Sequence, residues 1–438
     1  MVANRRPINA SDEVDYKLTG SSRIGLISAT MGQFIGLATI SLFGPTAVVF
    51  QRAMTLSPVE IALLVSIPTV AGSLLRIPFG AWSDSTGSRE PMLIVLSVSS
   101  ASMAAITAIL FLDYPSRLTH GLFPIFLLLG CLVGVGAAAF SIGVPQASYW
   151  YPQNRQGYVL GIYSGIGGLA PGIFTLILPP LLTYLGPAYA YLIWFALSLV
   201  LVLTYFLIAK DAFFFQLLKN GVERELAIAI AKDKGQELIP SNTALRSMTA
   251  PIKNLKNWGL VVANVTAFGG YVALTTWLPT YWSVDHGIGI IWAGVITSIG
   301  FIILGTVIRI PAGSLSDRYG GESILFYSSL LMLAGSVIFL INTFTLDVVG
   351  EIVLGIGVGV NSAATFKLVP KYSKSNIGGA TGWVSGLGAF SGLIITVLLG
   401  TFVAIFDYAG YSLGFTVYVG LSVISLIIGA IFMRLRIV

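Results

Sequence analysis

A single cysteine, Cys131, excludes an intramolecular disulfide and any metal site built on cysteines, and it reads as a small apolar core residue. Only two histidines are present, His120 and His286, and both fall outside the apolar segments. No metal and no cofactor is expected. Charge is equally scarce: 10% of the 438 residues are charged, 55% are hydrophobic, and the mean hydropathy is +0.88. That balance excludes a soluble globular protein. The first 22 residues carry Arg5, Arg6, Asp12, Glu13, Asp15 and Lys17 and have no apolar h-region, so no cleavable signal peptide is expected.

Long apolar runs take the place of charge. A helix crossing a hydrocarbon core of about 30 Å needs about 20 apolar residues, and twelve such segments can be marked. They are 23–50, 58–82, 91–112, 122–149, 157–184 and 187–209, then 257–281, 288–315, 322–342, 346–369, 376–406 and 411–433. The polar stretch 210–256 holds eight of the 24 basic residues and reads as a linker. The expected fold is an all-α integral membrane protein. Its twelve transmembrane helices form two six-helix, pseudo-symmetric bundles, 23–209 and 257–433, with tails at 1–22 and 434–438. Twelve crossings place both termini on one side. Twenty of the basic residues fall on that side, Arg52 and Arg117 on the other, and Arg76 and Arg309 within spans. Short basic loops stay cytoplasmic, so both termini, the linker and the even-to-odd turns are expected inside a multi-pass cytoplasmic-membrane protein. The net charge of +6 then reflects topology. The expected partner is the lipid bilayer, with no nucleic acid, and the chain is expected to act as a monomer.

The pattern R-I-P-x-G-x-x-S-D-x-x-G occurs twice, 233 positions apart. One copy runs Arg76, Ile77, Pro78, Gly80, Ser83, Asp84, Gly87; the other runs Arg309, Ile310, Pro311, Gly313, Ser316, Asp317, Gly320. Repetition at half the chain length is the signature of two similar bundles. With Asp84 and Asp317 at the boundary, each arginine lies eight residues deeper. At about 1.5 Å per residue that is about 12 Å, near the bilayer midplane. A lone arginine there costs at least about 2.5–3.5 kcal/mol. The acidic residues marked near the spans, Glu60, Glu351 and Asp407, lie toward outer ends, leaving none at midplane depth. Two readings follow: each arginine bonds backbone carbonyls and glues helices, or the pair receives an anion through its planar, bidentate guanidinium groups. No titratable coupling residue is expected, which favours anion exchange over a carboxylate relay. Asp84 and Asp317, with Gly80 and Gly313 before them and Gly87 and Gly320 after them, read as a gate latch capping a helix N-terminus or pairing with an arginine.

A second repeat has an offset of 221: Gly157, Gly161, Gly165 and Gly167 answer Gly378, Gly382, Gly386 and Gly388. Small residues four apart allow close helix packing in membranes. Gly167 and Gly388 fit that structural role, while Gly165 and Gly386 also qualify as exposed backbone beside a ligand. Ser164 and Ser385 either offer hydroxyls or bond their own helix.

These features resemble the major facilitator superfamily, and within it the nitrate/nitrite porter family. The resemblance rests on P-T-V-A-G-S-L-L-R-I-P-F-G from Pro68 to Gly80, R-I-P-A-G-S-L-S-D-R-Y-G-G from Arg309 to Gly321, and the two glycine-rich stretches. It implies that Arg76 and Arg309 clamp a small inorganic anion and that Phe140 and Phe268 sandwich it. Three departures stand out: Gly168 where an asparagine is usual, Asn264 where a tyrosine often stands, and Tyr163 in place of a smaller polar residue. Asn264 is retained as a candidate substrate contact. The implied function is secondary active transport of nitrate and/or nitrite by alternating access. The alternatives are a transporter of the same fold for a carboxylate, phosphate or organic anion, and, from another class, a membrane receptor or enzyme. The latter would need a domain or catalytic cluster that the sequence does not show.

Overall fold

In lipid a backbone N–H has no water to bond, so apolar runs satisfy their peptides internally as helices. A computed structural model describes residues 17–240 and 243–437; it is helical, with no strand among those residues. The expected tail 1–22 is therefore described from Lys17 onward, and 241, 242 and 438 lie outside the described residues. Among the described residues, eleven helical stretches are long and apolar enough to cross a membrane. One of them, Gln153–Ile208, runs 56 residues and contains Gly186 at φ 77°, ψ 169°, a non-helical break that divides it into spans five and six. With that break the described residues hold twelve candidate crossings.

Local chemistry sets the ends. Ser57 and Glu60 form a reciprocal capping box at the start of span two, Pro58–Thr86. That span ends at Gly87 with φ 93°, and the matching turn in the second half ends at Gly320 with φ 91°, backbone values that favour glycine. The two halves differ in regularity. Span two is one continuous helix despite Pro68 and Pro78. Span eight is Ile290–Thr297, a π-turn Ser298–Ile303, Leu304–Val307 and Arg309–Tyr319. Span seven carries a second π-turn, Val265–Gly269.

Packing is unequal along the membrane normal. On the linker side one apolar core joins both halves, drawing Phe140, Tyr149 and Tyr163 together with Leu260, Phe366 and Val384. On the opposite side each half keeps its own core: Phe43, Phe50 and Trp194 in the first, Phe301, Phe339 and Phe415 in the second. The molecule is thus closed on the linker side. The linker holds three short helices, Phe213–Lys219, Arg224–Asp233 and Ala244–Thr249; the first places Phe214, Phe215 and Leu217 in the shared core and the second Ala227 and Ala231.

Candidate functional site

Arg76 and Arg309 are 1% and 2% exposed and converge on one ring. The Arg76 guanidinium carbon lies 5.1 Å from the Phe140 centroid and 5.2 Å from that of Phe268. The Arg309 carbon lies 6.0 Å from Phe268 and 5.5 Å from Tyr271. Such cation–π contacts contribute about 0.5–2 kcal/mol each when desolvated. Phe140 and Phe268 stack at 6.0 Å and 29°, one ring from each half. The sequence therefore selected four side chains that the fold brings together.

Their supports differ. Arg76 Nε donates to the Ala137 carbonyl at 3.2 Å and Nη1 to the Ser385 carbonyl at 3.0 Å, so this arginine bridges the halves. The carbonyl reading foreseen for the arginines thus holds in part for Arg76. Arg309 makes one hydrogen bond among the described residues, Nε to the Gly305 carbonyl of its own helix at 3.3 Å. Neither arginine forms an ion pair with any described carboxylate. Both guanidinium groups retain positive charge in a buried, ring-lined setting, which suits an anion.

Asn264 sits one turn before Phe268, and its amide donates to the Val384 carbonyl at 2.9 Å while its oxygen has no hydrogen-bond partner among the described residues. Its neighbour across the interface is Gly388, which leaves room for the amide. Gly165 packs on Ile310 and Gly386 on the Ser73 carbonyl and Arg76, so both expected ligand contacts are helix-crossing points in this structure. Gly167 accommodates Gln33. Gly80 meets the Gly378 carbonyl and Gly313 the Gly157 carbonyl, where a side chain on either would strike the backbone of the opposite half. Ser164 bonds the Leu160 carbonyl of its own helix at 2.7 Å, and the Ser385 hydroxyl is buried without a hydrogen-bond partner among the described residues.

The latch is reciprocal. Asp84 accepts from the Gly378 and Gly379 amides at 3.0 and 3.1 Å, from Tyr149 at 2.5 Å, and from Ser247. Asp317 accepts from the Gly157 and Tyr158 amides at 2.9 and 2.7 Å and from Lys367. Each carboxylate caps the first turn of a helix in the other half, where the helix dipole favours negative charge. The cation beside Asp317 is a lysine, not the arginine considered from sequence.

Sequence reasoning missed Tyr271, Phe366 and Ser247. Tyr271 stacks on Phe268 at 6.1 Å and bonds Thr306 at 3.1 Å; its three-residue spacing from Phe268 was the available signal. Phe366 meets Phe140 edge-on at 4.8 Å, and Tyr163 donates to the Phe140 carbonyl at 2.8 Å, fixing that ring's helix. Ser247 carried no signal, because it lies in the linker. Glu351 does stand near the start of its helix, Phe344–Tyr372, yet it is 1% exposed, and Asp347 on the same helix is fully buried. Buried titratable groups do exist inside a span.

The family profile described as Major Facilitator Superfamily matches residues 29–345 and 293–437. Among curated relatives, the probable nitrate/nitrite antiporter NarK1 of Thermus thermophilus is 27% identical over 407 residues, covering 84% of this chain and 83% of that protein. The nitrite extrusion protein of Bacillus subtilis is 28% identical over 365 residues, covering 82% of each. The probable nitrate transporter NarT of Staphylococcus haemolyticus is 26% identical, covering 88% and 91%. Among solved structures, the proton:xylose symporter XylE superposes with a TM-score of 0.73 at 12% identity over 94% of this chain and 95% of that one. The human organic anion transporter MFSD10 superposes with a TM-score of 0.67 at 14% identity over 94% and 100%. These two likenesses concern the fold.

Proposed function

The chain belongs to the major facilitator superfamily of membrane transporters, and on that premise we propose that it carries nitrate and/or nitrite, held between Arg76 and Arg309 and flanked by Phe140 and Phe268. The observation that carries this reading is the convergence of two buried guanidinium groups, one from each half, on Phe268 with no carboxylate partner among the described residues. A planar oxyanion supplies the absent negative charge and matches the bidentate fork. The names of the curated relatives point to the same anions.

Transport proceeds by alternating access. With Asp84 and Asp317 engaged, the linker-side gate is closed; release of both caps frees the two halves to rock about the arginines. The basic-residue asymmetry supports a cytoplasmic position for the linker, latches and termini. Purified protein in liposomes is expected to accumulate nitrate or nitrite, and Arg76→Lys or Arg309→Lys to abolish uptake, because a point charge replaces a fork. Normal uptake by either lysine variant overturns the clamp. Counterflow with phosphate and small carboxylates tests the substrate, and stronger counterflow with these than with nitrate and nitrite overturns it.

A further inference from the structure

At the end of the second half remote from the linker, spans seven, eight and ten enclose a cluster that the anion site does not use. Trp282 Nε1 donates to Glu351 Oε2 at 2.5 Å. Tyr281 donates to Asp347 Oδ2 at 2.7 Å, and His286 Nε2 shares that oxygen at 2.9 Å. Asp285 lies 3.8 Å from the same histidine nitrogen. Two carboxylates, Asp347 and Asp285, therefore face one histidine, and Glu351 joins the cluster through Trp282, whose ring lies 5.0 Å from that of His286. No Lys or Arg pairs with any of them among the described residues, whether from spans seven and eight or from the neighbouring helix 321–338.

The second carboxylate oxygens are informative. Glu351 Oε1 and Asp347 Oδ1 are buried and have no hydrogen-bond partner among the described residues. A buried charge left so is costly, and protonation removes the cost. No group of three such side chains has metal-holding geometry among the described residues, so the chemistry that fits is a proton. Burial also pushes the Asp285 carboxyl, just outside span seven, above the ordinary carboxylate range.

Access is graded. His286 keeps 11% of its side chain exposed in the loop after span seven, and Asp347 behind it is fully buried. Glu351 follows four residues later on the same helix face, about 10 Å in from Phe344. Glu351 touches the π-turn of span eight: a β-carbon at Gly300 would lie 3.0 Å from Oε1. Nine residues on, about 13 Å away, stands Arg309.

We propose that the His286–Asp347–Glu351 cluster binds a proton from the side opposite the linker and that this proton and the anion at Arg309 favour each other's binding. This rests on the anion reading of the arginines. An uncompensated negative charge about 13 Å from the bound anion, at an effective dielectric of about 20, lowers anion affinity about tenfold; protonation restores it. By linkage, anion binding draws protons onto the cluster to the same degree.

The test uses the full chain in detergent with nitrate as the probe, since nitrate stays ionised across the range. Nitrate affinity is expected to rise about tenfold from pH 8 to pH 5.5, with proton uptake on nitrate addition in weakly buffered solution. Glu351→Gln should hold the high affinity at every pH and abolish the uptake. Should that variant fold poorly, His286→Gln and the wild-type proton count carry the test. Arginine-dependent nitrate binding with no pH dependence and no proton uptake overturns the proton site and leaves the anion site intact. Absence of nitrate binding at any pH overturns both. An affinity that follows sodium rather than pH also overturns the proposal.

Discussion

The two copies of the twelve-residue motif are alike in chemistry and unlike in constraint. Arg76 rides an unbroken helix, is tied to carbonyls at 137 and 385, and reaches across the interface. Arg309 follows a π-turn and a break in the helix, and among the described residues hydrogen-bonds only within its own span. A repeat thus preserves the charge at a site without preserving its stiffness. Irregular turns of this kind gather at functional sites because they leave backbone groups free to rearrange. The first half supplies a fixed arm and the second an adjustable one.

The comparison breaks first at the arginines. Both lysine variants are expected to lose at least about a hundredfold in uptake, but only Arg76→Lys should also lower thermal stability, by about 1–3 kcal/mol, since two buried carbonyls lose their donor. Equal melting shifts would remove the distinction. The latches come next. Asp84 is held by neutral donors and Asp317 also by Lys367, so Asp317→Asn strands a cation and should open the gate more than Asp84→Asn does. Maleimide labelling of Ser83→Cys, buried at the latch, in a Cys131→Ser background reads this as a several-fold faster rate. The smallest expected effect is at Ser247→Ala, about 1 kcal/mol of stability, because Asp84 keeps three other donors. A change as large as that of Asp84→Asn would make the linker the principal lock.

Much of this was readable in advance. The arginines and the latch carboxylates announce themselves through the repeat and through the cost of charge in lipid, whereas the two rings, Phe140 and Phe268, were legible only through the family resemblance. The capping of each helix by an aspartate of the other half was legible only as a possibility, since the amide donors at Gly378 and Gly157 are 294 residues from Asp84 and 160 from Asp317. Hydropathy cannot reveal a π-turn, which changes hydrogen bonding without changing composition. It also hid the Trp282–Glu351 and His286–Asp347 contacts, because pairs 69 and 61 residues apart obey no periodic rule.

The π-turn at Val265–Gly269 has a further consequence. Such a turn holds one residue more than a regular turn needs, and a surplus residue rotates everything beyond it by about 100°. Phe268 within the turn faces Arg76 and Arg309, and Trp282 beyond it faces Glu351. The angular phase between those two duties is set by a single residue count, so removing one residue from the turn would swing Trp282 off Glu351 while leaving the composition of span seven almost unchanged.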